Sequence, residues 1–172
     1  MRLAIVPGHR PSAPGAGANG LHEYPVVSTL ADTVQQFATP TQHTIRVVRR
    51  PQNQHGLRQL IRRLNSGIKA DAILSLHLNA AEAESPNKSY AIHNGERKAA
   101  ALADALHGVE LPGVERIDPK TRDDLAILND TQAVAVLDEV GYVDRADHRK
   151  KILRNLIHLS THYAEAIEKW TR

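Results

Sequence analysis

The sequence predicts a single α/β domain with a mostly parallel, twisted sheet and helices on both faces. Short apolar runs alternate along the chain with helical patterns, which is typical of β-α-β units with right-handed crossovers. The length of 172 residues suits one domain, 1–172, rather than two. The chain is 41% hydrophobic but only 3% aromatic, so Leu, Ile, Val and Ala must build the core.

Five apolar or alternating runs predict strands. Ala72–Leu78 is the most continuous of them, and it suits a strand that is buried on both faces of a parallel sheet. The run that starts at Ala133 has the same character and ends at Gly141. In chain order the predicted strands are Leu3–Val6, His43–Val48, Ala72–Leu78, Ser89–His93 and Ala133–Val140.

Four stretches carry apolar residues at helical spacing, which predicts amphipathic helices between the strands. They are Glu23–Phe37, Leu57–Ile68, Glu96–Leu106 and Asp147–Trp170. The last is predicted as one continuous helix. Residues 8–20 and 82–88 are predicted as loops, with a turn of Thr39-Pro40-Thr41 after the first helix. Residues 111–129 are predicted to be mostly irregular because Pro112, Gly113 and Pro119 interrupt any pattern.

The composition excludes several classes of function. There is no cysteine, so a metal would have to be held by His, Asp or Glu. The net charge of +3 predicts modest attraction to polyanions, but the basic residues are dispersed and aromatic residues are scarce. We therefore expect no nucleic-acid partner. No apolar stretch approaches the roughly 18 residues of a membrane span, so we expect no membrane insertion.

Four polar side chains are predicted to meet at one edge of the sheet. His9 and His77 fall at the carboxyl ends of predicted strands, and Glu139 lies near the end of a third. Glu23 opens the helix that follows the first strand. Ligands bind at the carboxyl ends of the strands in sheets of this kind. The four residues, although distant in sequence, therefore share one rim.

This set of residues supports metal-assisted hydrolysis of an amide. Two imidazoles and one carboxylate, from His9, His77 and Glu23, leave one position of a tetrahedral Zn²⁺ open. A further carboxylate must take a proton from the attacking water and pass it to the leaving nitrogen. Glu139 fits that role, since the apolar residues on either side of it would bury and orient it.

Four blocks of the chain carry a resemblance to a known family. They are Pro7-Gly8-His9, Gly20-Leu21-His22-Glu23, Ser75-Leu76-His77-Leu78-Asn79-Ala80 and Val136-Leu137-Asp138-Glu139-Val140-Gly141-Tyr142-Val143. Their order and spacing resemble the zinc-dependent N-acetylmuramoyl-L-alanine amidases of the amidase-3 type, found in bacterial autolysins and phage endolysins. The resemblance covers essentially the whole chain.

The resemblance implies a fold, a reaction and a set of site residues. The fold would be an α/β sheet of about six strands. His9, Glu23 and His77 would hold Zn²⁺, and Glu139 would be catalytic. In the second block, Glu23 rather than its neighbour His22 would be the metal ligand. The reaction would be hydrolysis of the peptidoglycan amide bond between N-acetylmuramic acid and L-alanine, which amounts to cell-wall degradation.

The chain departs from the family pattern near the site. Val6 stands where the family usually has an acidic residue, and Arg10-Pro11 replaces a Gly-Gly pair. Ile117 replaces a glycine after Arg116. These differences bear on substrate preference more than on the metal site. Asn79 and Arg116 are candidate substrate contacts.

Two other functions remain open at this stage. One is a zinc peptidase or carboxypeptidase that acts on the stem peptide of peptidoglycan, and the other is a non-catalytic wall-binding module. His158 and His162 share a helix face, but Leu159 stands where the HExxH zinc motif requires glutamate. The remaining histidines are predicted to be surface residues: His43, His55, His93, His107 and His148.

Partners and location follow from the same interpretation. Peptidoglycan is the expected substrate, and a monomer is the expected state. The apolar run at the amino terminus, Leu3–Val6, is too short for the core of a signal peptide. We therefore expect synthesis in the cytoplasm without a signal peptide, followed by release or export to the cell wall.

Overall fold

A computed structural model describes residues 1–18, 20–38, 43–81 and 85–171 of the chain. The strands are β1 (Arg2–Pro7), β2 (Gly17–Ala18), β3 (Leu21–His22), β4 (Thr44–Val47), β5 (Ala72–Asn79), β6 (Lys88–His93), β7 (Glu115–Arg116), β8 (Lys120–Thr121) and β9 (Val134–Tyr142). The α-helices are α1 (Glu23–Ala38), α2 (Gly56–Arg62), α3 (Arg97–Ala105), α4 (Ala126–Asn129), α5 (Ala146–Arg154) and α6 (Leu156–Thr171). Within these residues, no helix combines the length and the apolar character that a membrane crossing requires.

The central sheet has seven strands in the order β4-β1-β5-β9-β6-β7, with β8 also paired to β6. Strands β4, β1, β5 and β9 run parallel to one another. Strand β6 is antiparallel to β9, whereas β7 and β8 pair with β6 in parallel. The predicted fold class, a mostly parallel sheet in one α/β domain, is confirmed.

Helices cover both faces of this sheet. One face packs against α1, α3, α5 and α6 through a large apolar core that includes Ile5, Leu74 and Val136. The other face packs against α2 and α4 through a smaller core that includes Val6 and Leu137. Side chains alternate between the two faces along a strand. His77 on β5 and Glu139 on β9 therefore lie on the face of the smaller core, which also holds Leu137.

Three segments differ from the prediction. The carboxyl-terminal helix is broken at Asn155, whose side chain donates a hydrogen bond to the carbonyl of Lys151 (2.8 Å) and so terminates α5. Helix α2 passes into a π-helical segment, Arg63–Ile68, before the left-handed Lys69. The region predicted as irregular contains β7, β8 and α4, because short strands there complete the edge of the sheet. The predicted turn at Thr39-Pro40-Thr41 lies outside the described residues.

Strand β9 runs past the predicted stop at Gly141 to Tyr142. The reason is close packing behind the strand. A Cβ at Gly141 would lie 2.9 Å from Nδ1 of His148, so the glycine lets the buried imidazole approach the strand backbone. His148 is fully buried and was wrongly predicted as a surface residue.

Candidate metal centre

The structure brings His9, Glu23 and His77 together at the predicted edge of the sheet. His9 follows β1 with a left-handed backbone (φ 63°), a conformation that non-glycine residues adopt rarely and often at functional sites. Glu23 is the first residue of α1, and His77 lies near the end of β5. One donor atom from each residue lies within 4.8 Å of the other two.

The glutamate lies between the two imidazoles. Nε2 of His9 is 3.0 Å from Oε2 of Glu23, and Nδ1 of His77 is 2.9 Å from Oε1. The backbone N–H of Leu78 donates a further hydrogen bond to Oε1 (3.0 Å). Burial alone would raise the pKa of Glu23, but the hydrogen bonds from His77 and His9 outweigh it and lower the pKa to about 2. Glu23 is therefore held as a buried carboxylate anion.

Two glycines make room for this cluster. A Cβ at Gly8 would lie 2.5 Å from the imidazole of His77. A Cβ at Gly15, which has a φ of +81°, would lie 2.6 Å from both the Glu23 carboxylate and the ring of His9. Any larger residue at either position would displace a donor group. The close backbone approach and the set of two nitrogen donors and one carboxylate fit a borderline divalent cation such as Zn²⁺.

Glu139 lies beside the cluster on β9, where it is the register partner of His77 on β5. Its Oε2 atom is buried and has no hydrogen-bond partner among the described residues. Burial, together with the nearby charges of Glu23 and Asp138, raises the pKa of Glu139 to about 7 despite the opposing effect of His77. A carboxyl group with a pKa near neutrality can both accept and release a proton.

The preceding residue, Asp138, points to the opposite face of β9 and is fully buried there. Its Oδ1 atom is 2.7 Å from Nη1 of Arg116, and the hydroxyl of Tyr163 donates a hydrogen bond to Oδ2 (2.5 Å). The side chain of Arg116 is only 4% exposed. The prediction that Arg116 contacts substrate is therefore wrong, because its guanidinium is used inside the protein.

Tyr90 was not singled out from the sequence. It is the antiparallel register partner of Glu139 on β6 and is buried, and burial raises its pKa to about 12. Its hydroxyl accepts a hydrogen bond from the side-chain amide of Asn79 (2.6 Å). The structure thus places Asn79 beside Tyr90, on the Glu139 side of the site. Only the antiparallel pairing of β6 brings Tyr90 here, and the pattern of apolar residues does not reveal strand direction.

Other histidines lie apart from the cluster. The ring of His22 packs against Gly17 in the small hairpin of β2 and β3. The rings of His158 and His162 contact each other in a tilted arrangement, with centroids 4.1 Å apart and an interplanar angle of 52°. Within the described part of the chain, none of these three histidines belongs to a group of three candidate metal ligands.

A cavity of about 160 Å³ adjoins the two histidines on the side of the smaller core. Its walls are mainly apolar, with Leu57, Leu60 and Leu137 among them, and Arg50 also lines it. A larger groove of about 670 Å³ runs between α2 and α4 and shares Leu57 with the cavity. Of the two, only the smaller cavity has His9 and His77 in its lining.

The comparisons with known proteins agree with this geometry. The family model for N-acetylmuramoyl-L-alanine amidases (Amidase_3) matches residues 3–169. The chain belongs to this family. It is therefore an amide hydrolase that acts on peptidoglycan, and the reaction predicted from the sequence is confirmed. No curated protein sequence matches the chain.

Several solved structures share the fold. The catalytic domain of CwlV, an N-acetylmuramoyl-L-alanine amidase from Bacillus (Paenibacillus) polymyxa var. colistinus, superposes with a TM-score of 0.86 at 18% identity, covering 99% of this chain and 98% of that one. AmiC2 of Nostoc punctiforme gives 0.87 at 17% identity, with coverage of 99% and 97%. The catalytic domain of the CD27L endolysin, which targets Clostridia difficile, gives 0.78 at 23% identity, with coverage of 98% and 97%.

Proposed function

We propose that this amidase depends on Zn²⁺ held by His9, Glu23 and His77, with Glu139 as the catalytic acid and base. The scissile bond joins the lactyl group of N-acetylmuramic acid to L-alanine of the stem peptide. One observation carries the proposal. A preformed set of three donor groups lies next to the buried carboxyl group of Glu139, whose Oε2 atom has no hydrogen-bond partner in the part of the chain that the structure describes.

The ligand residues would act through the atoms that now face one another, namely Nε2 of His9, Nδ1 of His77 and the carboxylate of Glu23. When bound, a divalent cation of this kind polarises a carbonyl oxygen and makes water more acidic. The hydrogen bond from Leu78 holds Glu23 in place, and Gly8 and Gly15 leave space for the ring of each histidine.

Glu139 would move the proton during hydrolysis. As water attacks the carbonyl carbon, the Glu139 carboxylate accepts one of its protons and a C–O bond forms. The protonated Glu139 then donates that proton to the nitrogen of L-alanine, and the C–N bond breaks. The immediate products are the lactyl carboxylic acid and the amine of L-alanine, and the acid then gives its proton to the amine, which leaves a carboxylate and an ammonium group. A pKa of about 7 suits both steps near neutral pH.

We further propose that the protein acts on the cell wall as a monomer. All four groups come from one chain, so the site is complete without a second copy. Size-exclusion chromatography with light scattering measures the molar mass of the protein in solution and so tests whether it is a monomer. The products on isolated murein test the reaction, because an amidase releases intact stem peptides and leaves peptide-free glycan. A stem-peptide peptidase would instead leave L-alanine attached to the glycan.

A matched set of variants tests the assignment of roles. Purified wild type should retain about one equivalent of Zn²⁺ after dialysis and release peptides that begin with L-alanine, as read by mass spectrometry. His77→Ala should lose both the metal and the activity. Glu139→Gln should keep the metal and lose the activity. Absence of tightly bound Zn²⁺ in wild type, or full turnover by Glu139→Gln, would overturn the proposal.

The two glycines that leave space for the ligands, Gly8 and Gly15, offer a second test of the metal site. Gly8→Ala should weaken Zn²⁺ binding by roughly 10–100-fold, because its new methyl group would collide with His77. Gly67→Ala is the control, since a Cβ there meets the nearest atom at an ordinary 3.7 Å. Competition with a chromophoric chelator measures both affinities. Equal affinities in the two variants would contradict the assigned site.

A further inference from the structure

The cavity beside the metal centre contains an unusual combination of groups. Its floor is formed by buried apolar residues of the smaller core, including Val6, Leu60 and Leu137. No aspartate or glutamate lines it among the described residues. Arg50 is the arginine among the described residues that line it. The cavity is therefore apolar along its length and positively charged at one side.

Arg50 has no ion-pair partner among the described residues, and its Nε atom is buried without a hydrogen bond. A second arginine reinforces the positive charge. A Cβ at Gly56 would lie 2.9 Å from Nη1 of Arg10 and 3.1 Å from Cγ of Arg50, so both side chains pass close to this glycine. Arg10 donates hydrogen bonds to the carbonyls of Pro51 and Asn53. Burial and, to a smaller extent, the positive charge of Arg10 lower the pKa of Arg50.

The neighbouring Arg49, by contrast, has an acidic partner. Its Nη2 atom is 2.6 Å from the carboxylate of Asp32 on α1, away from the cavity. Two neighbouring guanidinium groups that have no carboxylate partner in the described part of the chain are unfavourable, because each loses hydration and the two repel each other. An anion that enters the cavity beside Arg50 would reduce both costs.

We infer that this cavity is a substrate subsite in which Arg50, supported by Arg10, binds a carboxylate of the peptidoglycan stem peptide. The inference rests on the proposed function, because it places the peptide side of the scissile bond next to His9 and His77. The residue that follows L-alanine in the stem is glutamate, whose methylene groups match the apolar walls. Its free carboxylate would pair with the guanidinium. Amidation of that carboxylate would remove the charge and leave the shape almost unchanged.

Two synthetic substrates isolate the charge. In both compounds glutamate is joined to N-acetylmuramoyl-L-alanine and its γ-carboxyl is capped as an N-methylamide. The first compound has a free α-carboxylate, and the second has an α-carboxamide instead. For the Zn²⁺-loaded wild type we expect kcat/KM to be at least about tenfold higher on the carboxylate. In Arg50→Gln the ratio should fall to about one, mainly through loss of rate on the carboxylate. Arg50→Lys, which keeps the charge, should retain part of the preference.

Arg49→Gln is the matched control, since it removes an equal charge from the adjacent residue, and its ratio should equal that of wild type. Binding of the L-alanyl-glutamate product to Glu139→Gln, followed by calorimetry, gives a readout without turnover. It should weaken about tenfold when Arg50→Gln is added. Thermal melts check that each variant is folded.

The outcomes separate the two proposals. If wild type cleaves neither compound, the proposed function fails. If wild type cleaves both compounds at equal kcat/KM, the subsite inference fails while the amidase assignment stands. A preference that persists in both Arg50→Gln and Arg10→Gln would also overturn the inference, as would an equal loss of preference in Arg49→Gln.

Discussion

Asp138 and Glu139 are adjacent carboxylates on one strand, and they have opposite surroundings. Asp138 points into the larger core, where Arg116 and Tyr163 pair with its two oxygens. Glu139 points to the other side, beside the proposed metal ligands, and its Oε2 atom has no hydrogen-bond partner within the described residues. Both are withdrawn from water to a large extent, so burial alone does not explain the difference between them.

The comparison shows what a buried carboxylate needs for each of two roles. A buried carboxylate that lies beside a cation and accepts a hydrogen bond from a hydroxyl is stabilised in its charged form, and removing one member of the ion pair leaves the other uncompensated. A carboxyl group without partners has a raised pKa and can exchange a proton. We call the face of β9 that carries Asp138 its back and the face that carries Glu139 its front. The back thus contributes to stability, whereas the front contributes to the chemistry.

The largest expected effect is a loss of activity when Glu139, on the front of β9, is replaced. Glu139→Gln should lower kcat on the muramoyl-L-alanine bond by about 10²–10⁴-fold, because it removes the proton acceptor. Its thermal unfolding temperature without metal should equal or exceed that of wild type, since an unsatisfied carboxylate is replaced by a neutral amide. Scanning calorimetry and the murein assay measure the two quantities. A large drop in stability would show that Glu139 is paired after all.

The reverse pattern is expected at the back of β9. Asp138→Asn should destabilise the protein by about 3–5 kcal/mol, because the buried guanidinium of Arg116 loses its counter-charge. For a protein of this size that corresponds to roughly 10 °C in the unfolding temperature. The activity of the molecules that remain folded should stay within a few-fold of wild type. An inactive but fully stable variant would reverse the assignment of the two faces.

His148 packs behind the end of β9, and its pKa makes the stability of this region depend on pH. Burial, opposed by Asp147 and Asp144 and assisted by Arg145 and Lys151, lowers the pKa of His148 to about 4. Its Nδ1 accepts a hydrogen bond from the backbone N–H of Tyr142 (3.0 Å), so its Nε2 carries the proton and can donate to Asn87 (2.8 Å). The folded state therefore selects the neutral imidazole.

The sign of the pH effect follows from this lowered pKa. The stabilisation is fully present above the unfolded value of about 6.5 and is lost as pH falls from there through 4. We expect a loss of about 2 kcal/mol across that interval. His148→Asn should be less stable at pH 7 but should show a flatter profile between these two values, as urea unfolding would reveal. Parallel profiles for the two proteins would rule out His148 as the titrating group.

The smallest expected effect concerns one hydrogen bond at the back of β9. Tyr163→Phe removes the donor to Oδ2 of Asp138 but leaves the ion pair with Arg116 intact. The cost should be about 1–2 kcal/mol, clearly less than for Asp138→Asn. Chemical unfolding compares the two variants. If Tyr163→Phe cost as much as Asp138→Asn, the hydroxyl rather than the guanidinium would dominate this side.

Much of this molecule follows from the sequence because parallel sheets obey local rules. The apolar runs before His9 and His77 predict buried strands, and strands that run parallel end at the same edge. Glu23 opens a helix that starts at that edge. Since these signals lie within a few residues of each ligand, no long-range information was needed to predict that the three residues meet.

Tertiary structure alone decided the features that depend on distant pairs. The antiparallel direction of β6 places Tyr90 next to Glu139, and the pairing of β7 with β6 accompanies the burial of Arg116 against Asp138. Arg10 and Arg50 are 40 residues apart in sequence yet meet beside Gly56. The physical reason is that burial and charge pairing are set by what packs across space, whereas strand and helix patterns are set by near neighbours along the chain.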